Sequence, residues 1–202
     1  MAPISKLPST DRIAELIAPF YADAAQTLLA QLRIYLDLLL RWNARTNLTA
    51  IRDPEQIVVR HFGESLFVAH HLAAGAGTLL DYGSGAGFPG LPVQLARPEL
   101  AVTLAESQVK KASFLREVVR TLGLQTEVWA GRAETLDRTF DVVALRAVDN
   151  PTAALRQAAG LVIPGGMLAH LTVEGGKPGL RLQGASSTFL PFPVQGVFHV
   201  EH

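Results

Sequence analysis

The sequence predicts an α/β fold, a mostly parallel sheet with helices on both faces, preceded by a helical N-terminal extension. Two observations predict it. Up to residue 75 the apolar positions recur at spacings of three and four, and from residue 78 short runs rich in Val and Leu alternate with helix-like stretches. The chain therefore divides into a helical extension over 1–75 and a sheet-forming region over 76–202, packed as one compact unit.

Within residues 24–42, Leu28, Leu29, Leu32, Tyr35, Leu36 and Leu39 form the apolar stripe of a helix. Asp53-Pro54 then supplies a cap and a residue suited to the first helical position. Ile57, Val58, His61, Phe62, Ser65, Leu66 and Ala69 make the next stripe. Strands are expected at 78–82, 101–105, 126–130, 140–145 and 167–173, with helices at 90–97, 108–122, 132–136 and 151–162. Gly123 closes the helix that begins near Gln108, and Asn150-Pro151 caps the last. Residues 174–193, punctuated by Gly175, Gly176, Pro178, Gly179, Gly184, Pro191 and Pro193, read as loop. A short strand near Val197–Val200 would close an antiparallel edge.

Composition narrows the chemistry. Lys plus Arg number 18 and Asp plus Glu number 18, so no overall field draws the chain to nucleic acid or membrane. The balance is uneven along the chain, however. In 41–60, Arg41, Arg45, Arg52 and Arg60 face only Asp53 and Glu55, and in 108–132, Lys110, Lys111, Arg116, Arg120 and Arg132 face only Glu117 and Glu127. A local basic footprint with few phosphate contacts is thus compatible with a neutral total. Cysteine is absent, which removes disulfides, thiolate metal sites and a Cys nucleophile and fits a reducing cytoplasm. The first 25 residues show no uninterrupted apolar segment of a signal peptide, and no apolar run is long enough to span a bilayer. No metal site and no membrane partner are expected.

The segment Asp81-Tyr82-Gly83-Ser84-Gly85-Ala86-Gly87-Phe88-Pro89-Gly90 follows the first strand and opens a helix, which places it at the ligand-binding edge of an open α/β sheet. Two registers compete. Gly85-x-Gly87-x-x-Gly90 satisfies a dinucleotide pattern, with a pyrophosphate on the helix N-terminus. An acid followed by G-x-G-x-G from Asp81 is instead the pattern of S-adenosylmethionine (SAM) sites. Asp81 favours SAM, because its charge opposes phosphate, whereas it can fix the loop and favour a sulfonium and an ammonium. Glu106, at the end of the second strand, can accept both hydroxyls of a ribose in either case. Arg146, at the end of the fourth strand, offers a planar fork to a carboxylate or phosphate, or else an ion pair to Asp149. Lys110 and Lys111 contact RNA or line a solvated helix face; His61 faces a substrate or sits in the core; Asn43 and Asn47 touch substrate or merely cap and turn the chain. Asn150-Pro151-Thr152 lacks the second Pro and the aromatic of an amino-group methylation motif and reads as a helix cap.

Together these residues resemble a known family, the 16S ribosomal RNA guanine-N7 methyltransferases, also called glucose-inhibited division protein B. The resemblance is carried by Trp42-Asn43, Asn47-Leu48-Thr49-Ala50-Ile51, Arg52-Asp53-Pro54, Arg60-His61 and Ser65, then by the loop from Asp81 to Gly90. It continues in Glu106-Ser107-x-x-Lys110-Lys111-x-x-Phe114-Leu115, Arg132-Ala133-Glu134, Phe140-Asp141 and Arg146-Ala147, over roughly residues 37 to 170. It implies a Rossmann-like SAM-dependent methyltransferase fold, with SAM as cofactor and S-adenosylhomocysteine as product. It implies cofactor contacts by Gly83, Phe88, Ala133, Glu134 and Arg146; Gly85 and Glu106 are expected beside them from the loop and strand-end readings, and no catalytic residue is assigned, Lys110, Arg146 and His61 being positioning candidates. The implied partner is 16S ribosomal RNA or a small-subunit assembly particle, met by a cytoplasmic monomer. Glu106 stands where the family more often has Asp, and Leu171-Thr172-Val173-Glu174-Gly175 departs from a segment that usually has Lys before Gly. A small-molecule SAM methyltransferase and an NAD-binding protein are the alternatives.

Overall fold

A computed structural model describes residues 7–147 and 150–193. Helix α1 (Thr10–Ile17) starts where the Ser9 side chain accepts from the Arg12 N–H at 3.2 Å. Helix α2 (Gln26–Thr46) buries the predicted stripe, Tyr35 among it, and ends at Asn47, whose φ of 47° suits a residue tolerant of the left-handed region. Helix α3 (Pro54–Ile57) begins with the Asp53 carboxylate accepting from the Gln56 N–H at 2.8 Å. It continues through a π-helical turn (Val58–Gly63) into α4 (Glu64–His71). The apolar spacing predicted this stretch as one plain helix, and the π turn is the difference.

Seven strands follow: β1 (Thr78–Tyr82), β2 (Ala101–Ala105), β3 (Glu127–Trp129), β4 (Phe140–Arg146), β5 (Val162–Glu174), β6 (Lys177–Gln183) and β7 (Ser187–Pro191). They lie in the order β3-β2-β1-β4-β5-β6-β7. The first five are parallel, joined by α5 (Gly90–Ala96), α6 (Val109–Leu122), a 3₁₀ turn (Ala133–Thr135) and α7 (Pro151–Ala159). The turn occupies the place of the short helix expected at 132–136.

Successive side chains of a strand point to opposite faces, and the core divides accordingly. Leu79, Leu104 and Val142 join Ile13, Leu32, Tyr35, Phe62 and Phe114 on the face carrying the N-terminal helices. Leu80, Val143 and Leu145 join Ala154 and Ala158 of α7 on the other. The helical extension and the sheet thus share one continuous buried cluster across the boundary expected at 76. Because both faces of the central strands are covered, their sequences read as near-continuous apolar runs.

The tail corrects the sequence reading. Residues expected to be loop form β6 and β7, both antiparallel. Glu174 pairs with Lys177 around Gly175 and Gly176, whose φ values of 55° and 75° make a two-residue hairpin turn. Gly179 sits inside β6 because a Cβ there would lie 2.5 Å from the Leu190 carbonyl. Those glycines mark a tight turn and a close approach rather than an irregular loop. The strand expected near Val197–Val200 lies outside the described residues.

Candidate active site

In the parallel half, Tyr82, Ala105 and Trp129 stand level at the carboxyl ends of their strands. The strand order reverses between β1 and β4, and the loops that follow diverge there to leave a crevice. A cavity of about 670 Å³ occupies it, within the usual range for small-molecule sites.

The loop after β1 forms the floor. Gly83, Gly85 and Gly87 have φ values of 73°, 57° and 93°, a region that side chains with a Cβ rarely adopt. The Ser84 N–H donates to the Ala105 carbonyl at 2.9 Å, tying the loop to the end of β2. Asp81 is fully buried beneath, and its Oδ2 accepts from the Gly90 N–H at 3.0 Å. Burial pushes the Asp81 carboxyl up to about 7, against the opposing pull of that hydrogen bond. Asp81 therefore fixes the loop, as expected, but it does not line the cavity, so the second role expected of it, favouring cationic ligand groups, is not supported by direct contact. It also occupies the first amide of α5, the place a dinucleotide pyrophosphate would take.

Glu106 is held on the wall by two backbone amides. Gly85 N–H donates to its Oε2 at 2.9 Å and Gln108 N–H to its Oε1 at 2.7 Å. Each oxygen keeps a second lone pair, which suits a vicinal diol. Ala133 and Glu134 line the next stretch of wall. The Tyr82 hydroxyl lies 3.2 Å from Glu134 Oε2 and 2.8 Å from Gln157 Oε1, and burial, with the Glu134 charge second, pushes its pKa up to about 12.

Arg146 Nη2 lies 2.9 Å from Glu64 Oε2 and donates to the Arg60 carbonyl at 2.7 Å, while Arg60 Nε pairs with Glu64 Oε1 at 2.8 Å. Its ion-pair partner is thus Glu64 from α4; Asp149 lies outside the described residues. Arg146 lines the cavity, and its buried Nη1 has no partner among the described residues. An anionic ligand group would satisfy it.

The π turn brings His61 to the same cavity. Its ring stacks on Phe88 at 4.6 Å between centroids and 22° between planes, and its Nε2 lies 2.8 Å from Thr49 Oγ1. Burial, then the charges of Arg146 and Arg60, hold the imidazole well below its usual range, so it is neutral at pH 7. Thr49 is itself clamped, its N–H donating to Asn43 Oδ1 at 2.9 Å and its carbonyl accepting from Asn43 Nδ2 at 3.0 Å. Asn47 accepts from Arg52 at 2.6 Å. Both asparagines thus take the capping and turning roles, and Asn150 caps α7 through the Ala153 N–H.

Of the residues singled out in the sequence, Gly83, Gly85, Phe88, Glu106, Ala133, Glu134, Arg146 and His61 line this one cavity. Lys110 does not; it is exposed on α6, while its neighbour Lys111 reaches the lining. Thr49, Tyr82 and Gln157 line the cavity unforeseen, and Glu64 enters through its pairing with Arg146. Thr49 stood within the Asn47–Ile51 block and Glu64 was not singled out at all, and nothing in the spacing tied either to Arg146 or His61. Among the described residues no group of three or more His, Asp or Glu could hold a metal ion, and no helix is long and apolar enough to cross a membrane.

The sheet order and the position of the glycine loop define a class, the Rossmann-like SAM-dependent methyltransferase fold. A protein-L-isoaspartate O-methyltransferase from Plasmodium falciparum, solved with S-adenosyl-L-homocysteine, shares that fold at a TM-score of 0.55, with 14% identity over 91% of this chain and 94% of the other. The family model described as rRNA small subunit methyltransferase G (GidB) matches residues 28–188, and the chain belongs to that family. Ribosomal RNA small subunit methyltransferase G of Stenotrophomonas maltophilia is 46% identical over 147 residues, covering 71% of this chain and 68% of the relative. The protein of the same name from Xanthomonas euvesicatoria is 44% identical over 152 residues, covering 74% and 70%.

Proposed function

We propose that this chain is a cytoplasmic, monomeric methyltransferase that uses SAM to place a methyl group on N7 of a guanine in 16S ribosomal RNA, free or in a small-subunit particle. One observation carries the cofactor half of this reading. A glycine floor, a doubly held carboxylate and an arginine whose Nη1 has no partner among the described residues surround a single cavity, and they suit the hydroxyls and the carboxylate of SAM. Family membership supports the RNA half.

When bound, SAM supplies a methyl group activated by a sulfonium. The chain's own residues hold and orient. Glu106 would accept the ribose hydroxyls, Arg146 would donate to the carboxylate, and Ala133 and Glu134 would border the adenine. Gly83 and Gly85 let the backbone approach, and Phe88 and the His61 ring cover the cavity and exclude water. Guanine N7 carries an in-plane lone pair and no proton, so no general base is required, and a neutral His61 is consistent with that. Catalysis then rests on alignment of nucleophile and methyl, with the entropy of encounter met by binding. Helices α2 and α6 pack together, with Trp42 Nε1 donating to Glu117 at 3.1 Å. Arg41 and Arg45 of one basic segment and Lys110, Lys111, Arg116 and Arg120 of the other therefore lie on neighbouring helices, with Arg45, Lys110 and Arg116 exposed.

The test is incubation of the purified chain with methyl-labelled SAM and either small-subunit RNA or the particle, followed by nucleoside analysis. Label on N7-methylguanosine at one position is expected. Label confined to a small molecule or to protein would overturn the reading, and thermal protection by NAD but not by S-adenosylhomocysteine would overturn the cofactor.

A further inference from the structure

We infer that Tyr35, on the N-terminal helix α2, is a positioning residue of the cofactor loop, locking the Ala86–Gly87 peptide in one orientation through its hydroxyl and its ring. The inference rests on the SAM reading of the cavity and extends it to a helix that supplies no residue to the lining.

The argument starts from the loop. Gly87 has a φ of 93°, and a peptide next to a glycine can rotate at little steric cost. A loop built from alternating glycines thus has more than one accessible backbone, and something must select the one whose floor fits a ligand. Both polar ends of the Ala86–Gly87 peptide are engaged. The Gly87 N–H donates to the Ser84 carbonyl at 2.6 Å, within the loop itself. The Ala86 carbonyl accepts from the Tyr35 hydroxyl, across 51 positions of sequence. Rotating the peptide would break both bonds and leave the phenol, which is 0% exposed, without an acceptor.

Sterics act in the same direction. A Cβ on Gly87 would lie 2.5 Å from the Tyr35 hydroxyl and 2.5 Å from Leu91 Cδ1, so the phenol approaches this close only because the loop has a glycine there. The Tyr35 ring stacks on Phe88 at 5.5 Å and 18°, and Phe88 stacks in turn on His61. Ala86 and Phe88, the residues on either side of Gly87, both line the cavity. A shift of this peptide therefore moves the cavity floor directly. Burial holds the phenol well above its usual range, so the donor keeps its proton at every working pH. Helix α2 then serves the cofactor site as well as the RNA-facing extension.

The experiment uses the full chain with Tyr35→Phe, which keeps the ring and removes one oxygen, and with Leu32→Val as a control elsewhere in the buried stripe of α2. S-adenosylhomocysteine affinity is read by calorimetry, amide exchange of the 83–88 segment by mass spectrometry, and KM for SAM and for RNA by methyl transfer. For Tyr35→Phe, loss of one buried hydrogen bond is expected to weaken S-adenosylhomocysteine about tenfold, to raise KM for SAM by a similar factor and to speed loop exchange. KM for RNA should stay unchanged, and Leu32→Val should lower Tm without weakening the ligand. Wild-type affinity in Tyr35→Phe, or equal weakening in Leu32→Val, would overturn the inference while leaving the cofactor reading intact. Absence of S-adenosylhomocysteine binding by the wild-type chain would overturn both.

Discussion

The two halves of the sheet differ in what their ends do. In β3-β2-β1-β4 every strand returns through a connection on the sheet's faces, so all carboxyl ends meet at one edge and their loops build the cavity wall. In β6 and β7 the chain turns back at each strand end, and among the described residues beyond Gln157 none lines the cavity. Parallel pairing concentrates loop residues at a single edge; antiparallel pairing spreads them over two. The consequence is a division within one sheet, the cavity lining on the parallel side and an extension of the sheet on the antiparallel side.

The largest effect should come from the parallel side. Glu106→Ala removes the acceptor for the ribose and leaves two backbone N–H groups without their carboxylate, so S-adenosylhomocysteine affinity should fall by about 2 kcal/mol, roughly thirtyfold, in calorimetry. Unchanged affinity would place the ligand elsewhere.

An intermediate effect should come from beneath the loop and depend on pH. The folded-state pKa of Asp81 is raised to about 7 from an ordinary 3.8. Between those values the folded chain holds a proton that the unfolded chain has lost, so this group's contribution to stability declines as pH rises. Asp81→Asn carries no such term. Its stability relative to wild type, from denaturant titrations, should therefore rise from pH 4 to about 7 and level off above 8. A flat difference across that window would mean that Asp81 is ionised in the folded chain.

The smallest effect belongs to the antiparallel side. Val173 is 60% exposed on β5 near the hairpin turn, so Val173→Thr should change stability by no more than about 0.5 kcal/mol and leave methyl transfer unchanged. A large loss of transfer with Tm preserved would show that the hairpin reaches the RNA, and the division between the halves would fail.

The same contrast explains what could be read from the sequence. Parallel strands covered on both faces show as Val- and Leu-rich runs separated by amphipathic helices, so 78–82, 101–105 and 140–145 match observed strands closely. The antiparallel hairpins were hidden because Gly175, Gly176 and Pro178 are turn signals in any context, and only pairing shows that the two glycines make a tight turn and that Pro178 lies within a strand. In the site, Glu106 and the glycines were legible because local spacing places them at the edge. The Glu64–Arg146 pair was not, since 82 positions separate its partners and only the tertiary fold brings the start of α4 to the end of β4. Tyr35 was legible as a core position in a helical stripe, but its hydroxyl's acceptor lies in another element.

Asn43 has a further consequence for how this wall can vary. Its amide makes with Thr49 the reciprocal pair of hydrogen bonds that a neighbouring strand would otherwise provide. One side chain in the last turn of α2 thus gives Thr49 the pair of bonds that one residue of a partner strand would give, and the segment carrying Leu48 and Thr49 is held without belonging to the sheet. The rest of the connection is held as well, by Arg52 on Asn47 and by Asp53 at the start of α3, so the wall built by Leu48 and Thr49 is fixed from both sides.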